Sequence, residues 1–292
     1  MTTGIAILVL ASSVLHALWN FATRKSQGDL AALWLSLLLA GLAVLPLAVW
    51  FALQSGLTAA SWAYMGLTAV IHTFYFTLLA SAYRHGEISL VYPIARGTGV
   101  AGTAALAAAL GVDSVRPLAG AGIAAVCAGV LLVGLGHAPR GRHAVRRSVL
   151  TALAVGLTVV AYSLTDKLAV TTVWAGIAPG GLHPVVYVCA VFLGPGILMT
   201  PYVLAAARPQ LGPALRERRR YIAAIGPASL VTYLMILFAL RSGPVSSIVA
   251  FREFSVVIGS ALGIFFLGER LTLRKAAGIM LIAAGMVVVK AG

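Results

Sequence analysis

Three charged residues lie within long apolar stretches of this chain. Arg252 and Glu253 stand side by side in IVAFREFSVVIGSALGIFFLG (248–268), and Arg96 lies in YPIARGTGVAGTAALAAALG (92–111). A charge inside an apolar span is costly, and it usually faces a cavity or a partner. An arginine can bind a carboxylate or a phosphonate, and a glutamate can bind an ammonium or balance the arginine. The three residues therefore predict a buried polar site.

Glu253 and Arg96 occupy equivalent positions of an internal repeat. At a constant offset of 157 residues, 82–111 and 239–268 share nine identical residues in 30. Opposite charges at equivalent positions favour a direct ion pair or the two ends of one binding site. The equivalent of Arg252 is Ala95, so for Arg252 exposure to a cavity and structural pairing remain equal alternatives.

Polar stripes extend from the two equivalent charges. Ser89 and Thr103 lie seven residues before and after the arginine, and Ser246 and Ser260 lie at the same distances from the glutamate. Residues seven apart share one face of a helix. The pattern is compatible with a structural salt bridge that locks the chain in one state. It is also compatible with a pair that lines a cavity and binds substrate, or breaks and re-forms in a cycle.

A second polar face precedes these stripes in the chain. Ser12, His16, Asn20 and Thr23 follow one helix face, and Trp19 adjoins it. A polar face on a membrane span points away from lipid, so it lines a cavity or forms structural hydrogen bonds. His16 could also titrate near neutral pH and carry a coupled proton.

Aromatic residues complete the predicted site. His72 and Tyr75 align through the repeat with Ser229 and Thr232, and Tyr162 lies on a weaker polar face with Asp166. Tyr92 and Pro93 precede the first buried arginine, and the proline is expected to kink its helix. The candidate substrate-binding residues are Arg96, Glu253, Arg252, His16, Trp19, Asn20, His72, Tyr75, Tyr92, Tyr162, Ser89 and Ser246. No catalytic residue, metal site or cofactor is predicted.

The composition shows what must position these residues. Of 292 residues, 61% are hydrophobic and 10% are charged, against roughly 25% charged in soluble domains. We therefore predict an all-α membrane protein, because a helix of about 20 apolar residues crosses the bilayer. Ten spans are predicted, near 4–22, 30–53, 61–82, 88–110, 116–136, 148–166, 184–206, 221–240, 245–267 and 273–290.

The basic residues predict the orientation of the chain. Fifteen of the 21 lysines and arginines lie in loops after odd-numbered predicted spans, and four lie in even loops or at the C-terminus. This bias places the odd loops in the cytoplasm and both termini outside. The bias also indicates that the net charge of +14 comes from basic loops beside the anionic lipids of an inner membrane, and that it does not serve to bind nucleic acid.

The repeat predicts two halves, 1–143 and 144–292, joined near HAPRGRHAVRR (137–147). Each half has five predicted spans, and an odd number means that the halves cross the membrane in opposite senses. Inverted repeats of this kind are typical of secondary transporters, which bind substrate near the midplane between the repeats.

The stretch LGERLTLRKAAGIMLIAAG (267–285) resembles the end of an EamA-type half in the drug/metabolite transporter superfamily, in which Gly-Glu follows the fourth span. The resemblance covers the chain as two tandem halves, although Val112 stands where the first half should have the glutamate. It implies a ten-helix carrier that moves small metabolites, often outward, without ATP. The chain also lacks a phosphate-binding G-x-x-x-x-G-K-[ST] motif.

These features together predict a secondary active transporter, and more specifically an exporter, of a small organic metabolite. A site with both charge signs suits a zwitterionic or anionic compound such as an amino acid, with protons as a candidate coupling ion and alternating access as the mechanism. One alternative is an intramembrane enzyme, which is disfavoured because Glu253 is the only carboxylate expected deep in a span. Another is a receptor or scaffold without flux. Small residues around Gly278 fit either a homodimer interface or packing within a monomer.

Overall fold

The computed structural model describes residues 1–22, 29–85, 88–134, 142–171 and 181–292, and at a few helical positions, Trp19 and Ser89 among them, it describes only the backbone. These residues form helices joined by turns, with no strand in the described ranges. The helices are α1 (Thr3–Ala22), α2 (Leu30–Ser55), α3 (Ala59–His85), α4 (Ile88–Ala109), α5 (Pro117–Gly134), α6 (Arg142–Val170), α7 (Pro184–Ala206), α8 (Arg208–Glu217), α9 (Arg219–Ser242), α10 (Val245–Arg252), α11 (Phe254–Leu267) and α12 (Leu273–Ala291).

Seven segments of the described chain are long and apolar enough to cross a membrane. They lie in α2, α3, α5, α6, α7, α9 and the combined α10–α11 segment. The all-α membrane class is therefore confirmed, and the count of ten spans remains a prediction. The predicted boundary between the halves at 143/144 lies in the first turn of α6, and no observation tests it.

Two helical features depart from the sequence expectations. The short α8 follows α7 after a single residue, Ala207, and carries Arg208 and Arg216 on a chain segment read as a loop. The ninth predicted span is interrupted at Glu253, where α10 ends and α11 begins. By contrast, α4 runs without interruption through Pro93, where the sequence suggested a kink.

Contacts between helices of different predicted halves occur in equivalent pairs, in which each helix is replaced by its counterpart in the other half. α5 packs on α12, and α2 packs on α7. The contact of α4 with α6 corresponds to the contact of α10 and α11 with α1. The contact of α3 with α7 corresponds to that of α9 with α2. The contact of α1 with α9 corresponds to that of α6 with α3. Helices of both halves thus alternate around the centre of the bundle. The opposite membrane orientation of the halves remains a prediction.

Glycines bring α5 and α12 into backbone contact. A Cβ atom added at Gly129 would lie 2.7 Å from the Gly278 carbonyl oxygen, and one added at Gly122 would lie 2.7 Å from the Gly285 carbonyl oxygen. Small residues allow such close approach between membrane helices. The small residues of the fifth and tenth predicted spans therefore serve packing inside one chain.

A similar close approach positions the buried arginine. A Cβ atom at Gly99 would lie 2.7 Å from Val159, and one at Gly102 would lie 2.7 Å from Val160. The absence of side chains at these positions lets α4 lie against α6. Arg96, one turn before Gly99, is thereby held at the centre of the bundle.

Side chains cap the helices at the bundle ends. Asp29 Oδ1 accepts hydrogen bonds from the backbone N–H groups of Ala31 and Ala32 at the start of α2. His183 Nδ1 accepts from the Val185 N–H at the start of α7, and its ring stacks on Phe51 with centroids 3.9 Å apart. Burial and the nearby Arg241 lower the pKa of His183, which favours the neutral ring that this cap requires.

We expect Gly129→Ala to destabilise the protein. The added methyl group would meet backbone atoms of α12, so the helices must move apart, and overpacking of this kind costs about 1–3 kcal/mol. Gly66→Ala is the matched control, because a Cβ there meets nothing within 4 Å and alanine is the better helix former. Thermal unfolding in detergent measures both. A Gly129→Ala protein that melts no lower than Gly66→Ala would contradict the close packing.

Candidate functional site

A cavity of about 220 Å³ lies at the centre of the bundle. It is lined by residues of α1, α2, α3, α4, α6, α7, α9 and α10, which belong to both predicted halves. Eight of the predicted site residues line it: His16, Asn20, His72, Tyr75, Tyr92, Arg96, Tyr162 and Arg252. A cavity of this size suits a small metabolite.

The predicted pair of opposite charges is present as a direct salt bridge. Arg96 Nη1 lies 3.1 Å from Glu253 Oε1. Glu253 is 1% exposed and lies behind the cavity wall, at the break between α10 and α11. Its second oxygen, Oε2, has no hydrogen-bond partner among the described residues. A buried carboxylate of this kind depends on its cation.

Two further groups hold the arginine. Arg96 Nη2 lies 3.2 Å from His16 Nε2, and the guanidinium carbon lies 5.3 Å from the centre of the Tyr92 ring. An arginine only donates hydrogen bonds, so His16 Nε2 accepts and this ring carries its proton on Nδ1. The polar face predicted on the first span thus contributes to the same site, and Asn20 Nδ2 donates to the His16 carbonyl at 2.9 Å.

Arg252 differs from Arg96 in its partners. It lines the cavity, and it forms no salt bridge within the described part of the chain. Glu253, its neighbour in sequence, pairs with the other arginine instead. Of the two alternatives that the sequence left open, the geometry supports cavity exposure.

Aromatic rings form one wall of the cavity. His72 stacks on Tyr162 with centroids 4.8 Å apart, and Tyr75 meets Tyr162 edge-on at 5.5 Å and Phe76 at 5.1 Å. Phe192 and Tyr233 extend this wall. These rings can contact an apolar group or the face of a cation.

A buried carboxylate that the sequence analysis did not select lies next to this wall. Asp166 on α6 is 1% exposed. Its Oδ1 accepts from the Tyr187 hydroxyl at 2.9 Å and from Thr68 Oγ1 at 3.4 Å, and its Oδ2 accepts from the Tyr233 hydroxyl. The expectation that Glu253 is the only carboxylate deep in a span was wrong, because α6 extends to Val170 and takes Asp166 with it into the core.

Other candidates lie away from the cavity or outside the described side chains. Ser246 is not among the lining residues, because its backbone N–H and its hydroxyl both bond to Asp113 Oδ2 at 2.8 Å. The α4–α5 connection that carries Asp113 thereby caps the start of α10. The side chains of Trp19 and Ser89 lie outside the described part of the structure, so their predicted roles remain predictions.

The two ends of the cavity differ. On one side the lining residues extend to Asp29 and Ile225, near the arginine-rich start of α9. Asp29 Oδ2 forms a salt bridge with Arg218 at 3.2 Å there. The opposite end holds the link between Asp113 and Ser246, together with Lys167, whose Nζ donates to the carbonyls of Leu240 and Gly243 at 2.8 and 3.0 Å.

Comparison with known proteins finds a similarity to one protein family. The model of the EamA-like transporter family matches residues 149–291. These residues are therefore similar to the EamA-like transporter family. The match covers the second predicted half, and the assignment of the first half to the same family remains a prediction.

A fold comparison covers the whole chain. A solved crystal structure aligns with this chain at a TM-score of 0.71 and 18% identity, over 99% of this chain and 97% of the other. At that identity the likeness shows the fold alone. No curated protein matches the chain.

We expect the Arg96–Glu253 pair to be strongly coupled. Arg96→Met leaves a buried carboxylate unpaired, at a cost of about 3–5 kcal/mol, whereas Arg96→Met combined with Glu253→Gln removes the unpaired charge. The double variant should therefore melt at a higher temperature than Arg96→Met alone. Lys275→Ala is the control, because Lys275 pairs with Glu269 in a more exposed position and such pairs contribute only ~0–1 kcal/mol. Additive destabilisation in the double variant would contradict the coupling.

Proposed function

We propose that the protein is a secondary active transporter that exports a small zwitterionic or anionic metabolite by alternating access. The observation that carries the proposal is the central cavity, which is enclosed by helices of both predicted halves and has Arg96 and Arg252 on its wall. Transporters built from repeats bind their substrates at this position. The EamA-like family match supports a transporter as the broader class.

The position of the cavity supports binding of a substrate from the cytoplasmic side, which export requires. Its lining reaches Asp29 and Ile225, which lie beside basic segments of the chain. The distribution of basic residues assigns this end to the cytoplasm. In this conformation a substrate would therefore enter from the cytoplasmic side, while the links of Asp113 and Lys167 hold the other end closed.

The charges of the cavity support an anion or a zwitterion as substrate. Glu253 neutralises Arg96, and Asp29 at the mouth is neutralised by Arg218. Arg252 remains as a positive charge on the cavity wall. A substrate carboxylate or phosphonate would bind to Arg252 through charge-assisted hydrogen bonds.

The aromatic wall supports a second point of contact. Tyr75, Tyr162 and Phe76 present rings to the cavity. An ammonium group or an apolar side chain would pack on these rings. An amino acid has both an anionic group for the arginine and a second group for this wall.

Alternating access requires that contacts between the halves can change. Arg96 belongs to the first predicted half, and Glu253 to the second. Because the pair lies between α4 and the α10–α11 break, the halves could rock about it while the charges stay together. The contacts at the two ends of the cavity would then form and break in turn.

A ligand-binding experiment tests the substrate class. The purified protein is heated with glycine, glutamate, phenylalanine, phenylphosphonate or phenethylamine, since a ligand that binds only the folded state raises the melting temperature. We expect a carboxylate or phosphonate compound to stabilise the wild type. Arg252→Gln should weaken that compound's binding by roughly tenfold or more, as the loss of a charge-assisted hydrogen bond worth ~1.5–3 kcal/mol implies.

The control for Arg252→Gln is Arg241→Gln, which removes an exposed charge outside the cavity and should leave the affinity unchanged. Counterflow of the stabilising compound into proteoliposomes then tests transport itself. A wild-type protein that binds but shows no counterflow would overturn the transporter proposal. Stabilisation by phenethylamine alone would overturn the anionic or zwitterionic class.

A further inference from the structure

The hydrogen bonds around Asp166 link a buried carboxylate to the cavity. His72 Nε2 lies 3.1 Å from the Tyr233 hydroxyl, which donates to Asp166 Oδ2. His72 and Tyr233 line the cavity, whereas Asp166 does not. The chain of contacts therefore runs from the cavity through two side chains that can pass a proton and ends at a carboxylate.

The hydrogen atoms of this network can be counted. Asp166 is contacted by three hydroxyls, His72 Nε2 contacts one of these hydroxyls, and His72 Nδ1 lies 3.0 Å from the Thr68 carbonyl oxygen. These five contacts need five hydrogens. The hydroxyls of Thr68, Tyr187 and Tyr233 supply three, and a neutral His72 supplies one. One additional proton therefore lets all five contacts be hydrogen bonds at the same time.

The Thr68 hydroxyl has a second possible partner. Thr68 Oγ1 also lies 3.0 Å from His72 Nδ1, so its hydrogen could point at this nitrogen. The Thr68 carbonyl would keep its backbone hydrogen bond within α3, His72 Nε2–H would donate to Tyr233, and an ionised Asp166 would keep Tyr187 and Tyr233 as donors. This arrangement makes four hydrogen bonds, whereas the protonated network makes five.

The surrounding charges favour a neutral carboxylic acid as the carrier of this proton. The groups that face Asp166 from the helices packed around it are Thr68 and His72 of α3, Tyr187 of α7, Tyr233 of α9 and, at longer range, Arg252 of α10. Lys167, the next residue of α6, donates instead to the end of α9. No salt bridge to Asp166 is found in the described ranges. A proton on Asp166 removes a buried charge that has no direct cation.

We propose that Asp166 is the proton-binding carboxylate that couples transport to a pH gradient, with Tyr233 and His72 as its relay to the cavity. This inference rests on the proposed function. In the protonated form the Asp166 O–H donates to Tyr233, the Tyr233 hydroxyl donates to His72 Nε2, and Nδ1–H donates to the Thr68 carbonyl. When the proton leaves through His72 into the cavity, the Tyr233 hydroxyl turns and donates to the ionised Asp166 Oδ2. The contact between His72 and Tyr233 then keeps a hydrogen only where the remaining His72 hydrogen moves to Nε2.

The change in that hydrogen bond has a structural consequence. His72 lies on α3 of the first predicted half, and Tyr233 lies on α9 of the second. Proton release therefore removes or reverses a hydrogen bond between the halves on the wall of the cavity. The other candidates for the coupling proton are less suited, because Glu253 is paired with Arg96 and His16 Nε2 accepts from the same arginine.

Infrared difference spectroscopy tests the proton site without any transport assay. The protein is reconstituted in liposomes and titrated with acid and base while the C=O stretch of protonated carboxyl groups is recorded. We expect a titrating band in the wild type that is absent in Asp166→Asn and retained in Glu253→Gln. A band that persists in Asp166→Asn, or no titrating band in the wild type, would overturn the assignment.

Proteoliposome transport tests the coupling, with the compound that stabilises the wild type as the probe. With the membrane potential clamped, one coupled proton and a gradient of about one pH unit support up to about tenfold accumulation. The ratio of gradient-driven accumulation to counterflow corrects for differences in folding. We expect this ratio to fall by up to that factor in Asp166→Asn and in Tyr233→Phe, and to be unchanged in the control Lys275→Ala.

The two proposals fail in different ways. An unchanged ratio in Asp166→Asn overturns the coupling role of Asp166 and leaves the transporter proposal intact. The absence of counterflow in the wild type overturns the transporter proposal, while the infrared titration still reports whether Asp166 binds a proton.

Discussion

A carboxylate with 1% exposure in the middle of an apolar bundle must keep its cation. The uncompensated charge would cost several kcal/mol, more than most single packing contacts contribute. Glu253 and Arg96 come from different halves of the chain, so this requirement ties the halves together at the centre. The glycine contacts of α4 and the break between α10 and α11 meet the same requirement, since they bring guanidinium and carboxylate to 3.1 Å. The cavity forms around this fixed point.

The position of each charge around its helix decides which one is available to a ligand. Neighbouring residues of a helix diverge by about 100°, and Glu253 keeps a right-handed helical backbone. Glu253 pairs with Arg96 behind the cavity wall, while Arg252 faces the cavity. The residue that had no counterpart in the repeat thus becomes the positive charge without a salt bridge in the described chain. Residues that recur in both halves of a repeat maintain the common fold. A residue found in one half only, such as Arg252, can serve a function specific to this protein.

The sequence predicted the features that depend on periodicity. The offset of 157 residues paired Arg96 with Glu253, and the polar face of the first span placed His16 beside them. It did not predict the Asp166 network, because Tyr187 and Tyr233 lie on separate helices and no spacing relates them to the carboxylate. Asp166 itself is the last residue of the sixth predicted span, on the weaker polar face that also carries Tyr162, and that position does not show how deeply the carboxylate is buried. The hydrogen bonds from Ser246 to Asp113 likewise join distant segments, and no local sequence pattern indicates them.

The two buried networks differ in the physical property that a transport cycle needs. The Arg96–Glu253 pair is a direct ion pair between the two predicted halves, so it can act as a pivot. The network of Asp166, Tyr233 and His72 is held by hydroxyl contacts whose number depends on one proton. Both networks connect the first half to the second, and both adjoin the same cavity. A substrate anion on Arg252 would add charge within range of Asp166, so substrate and proton would each influence the binding of the other through electrostatics alone.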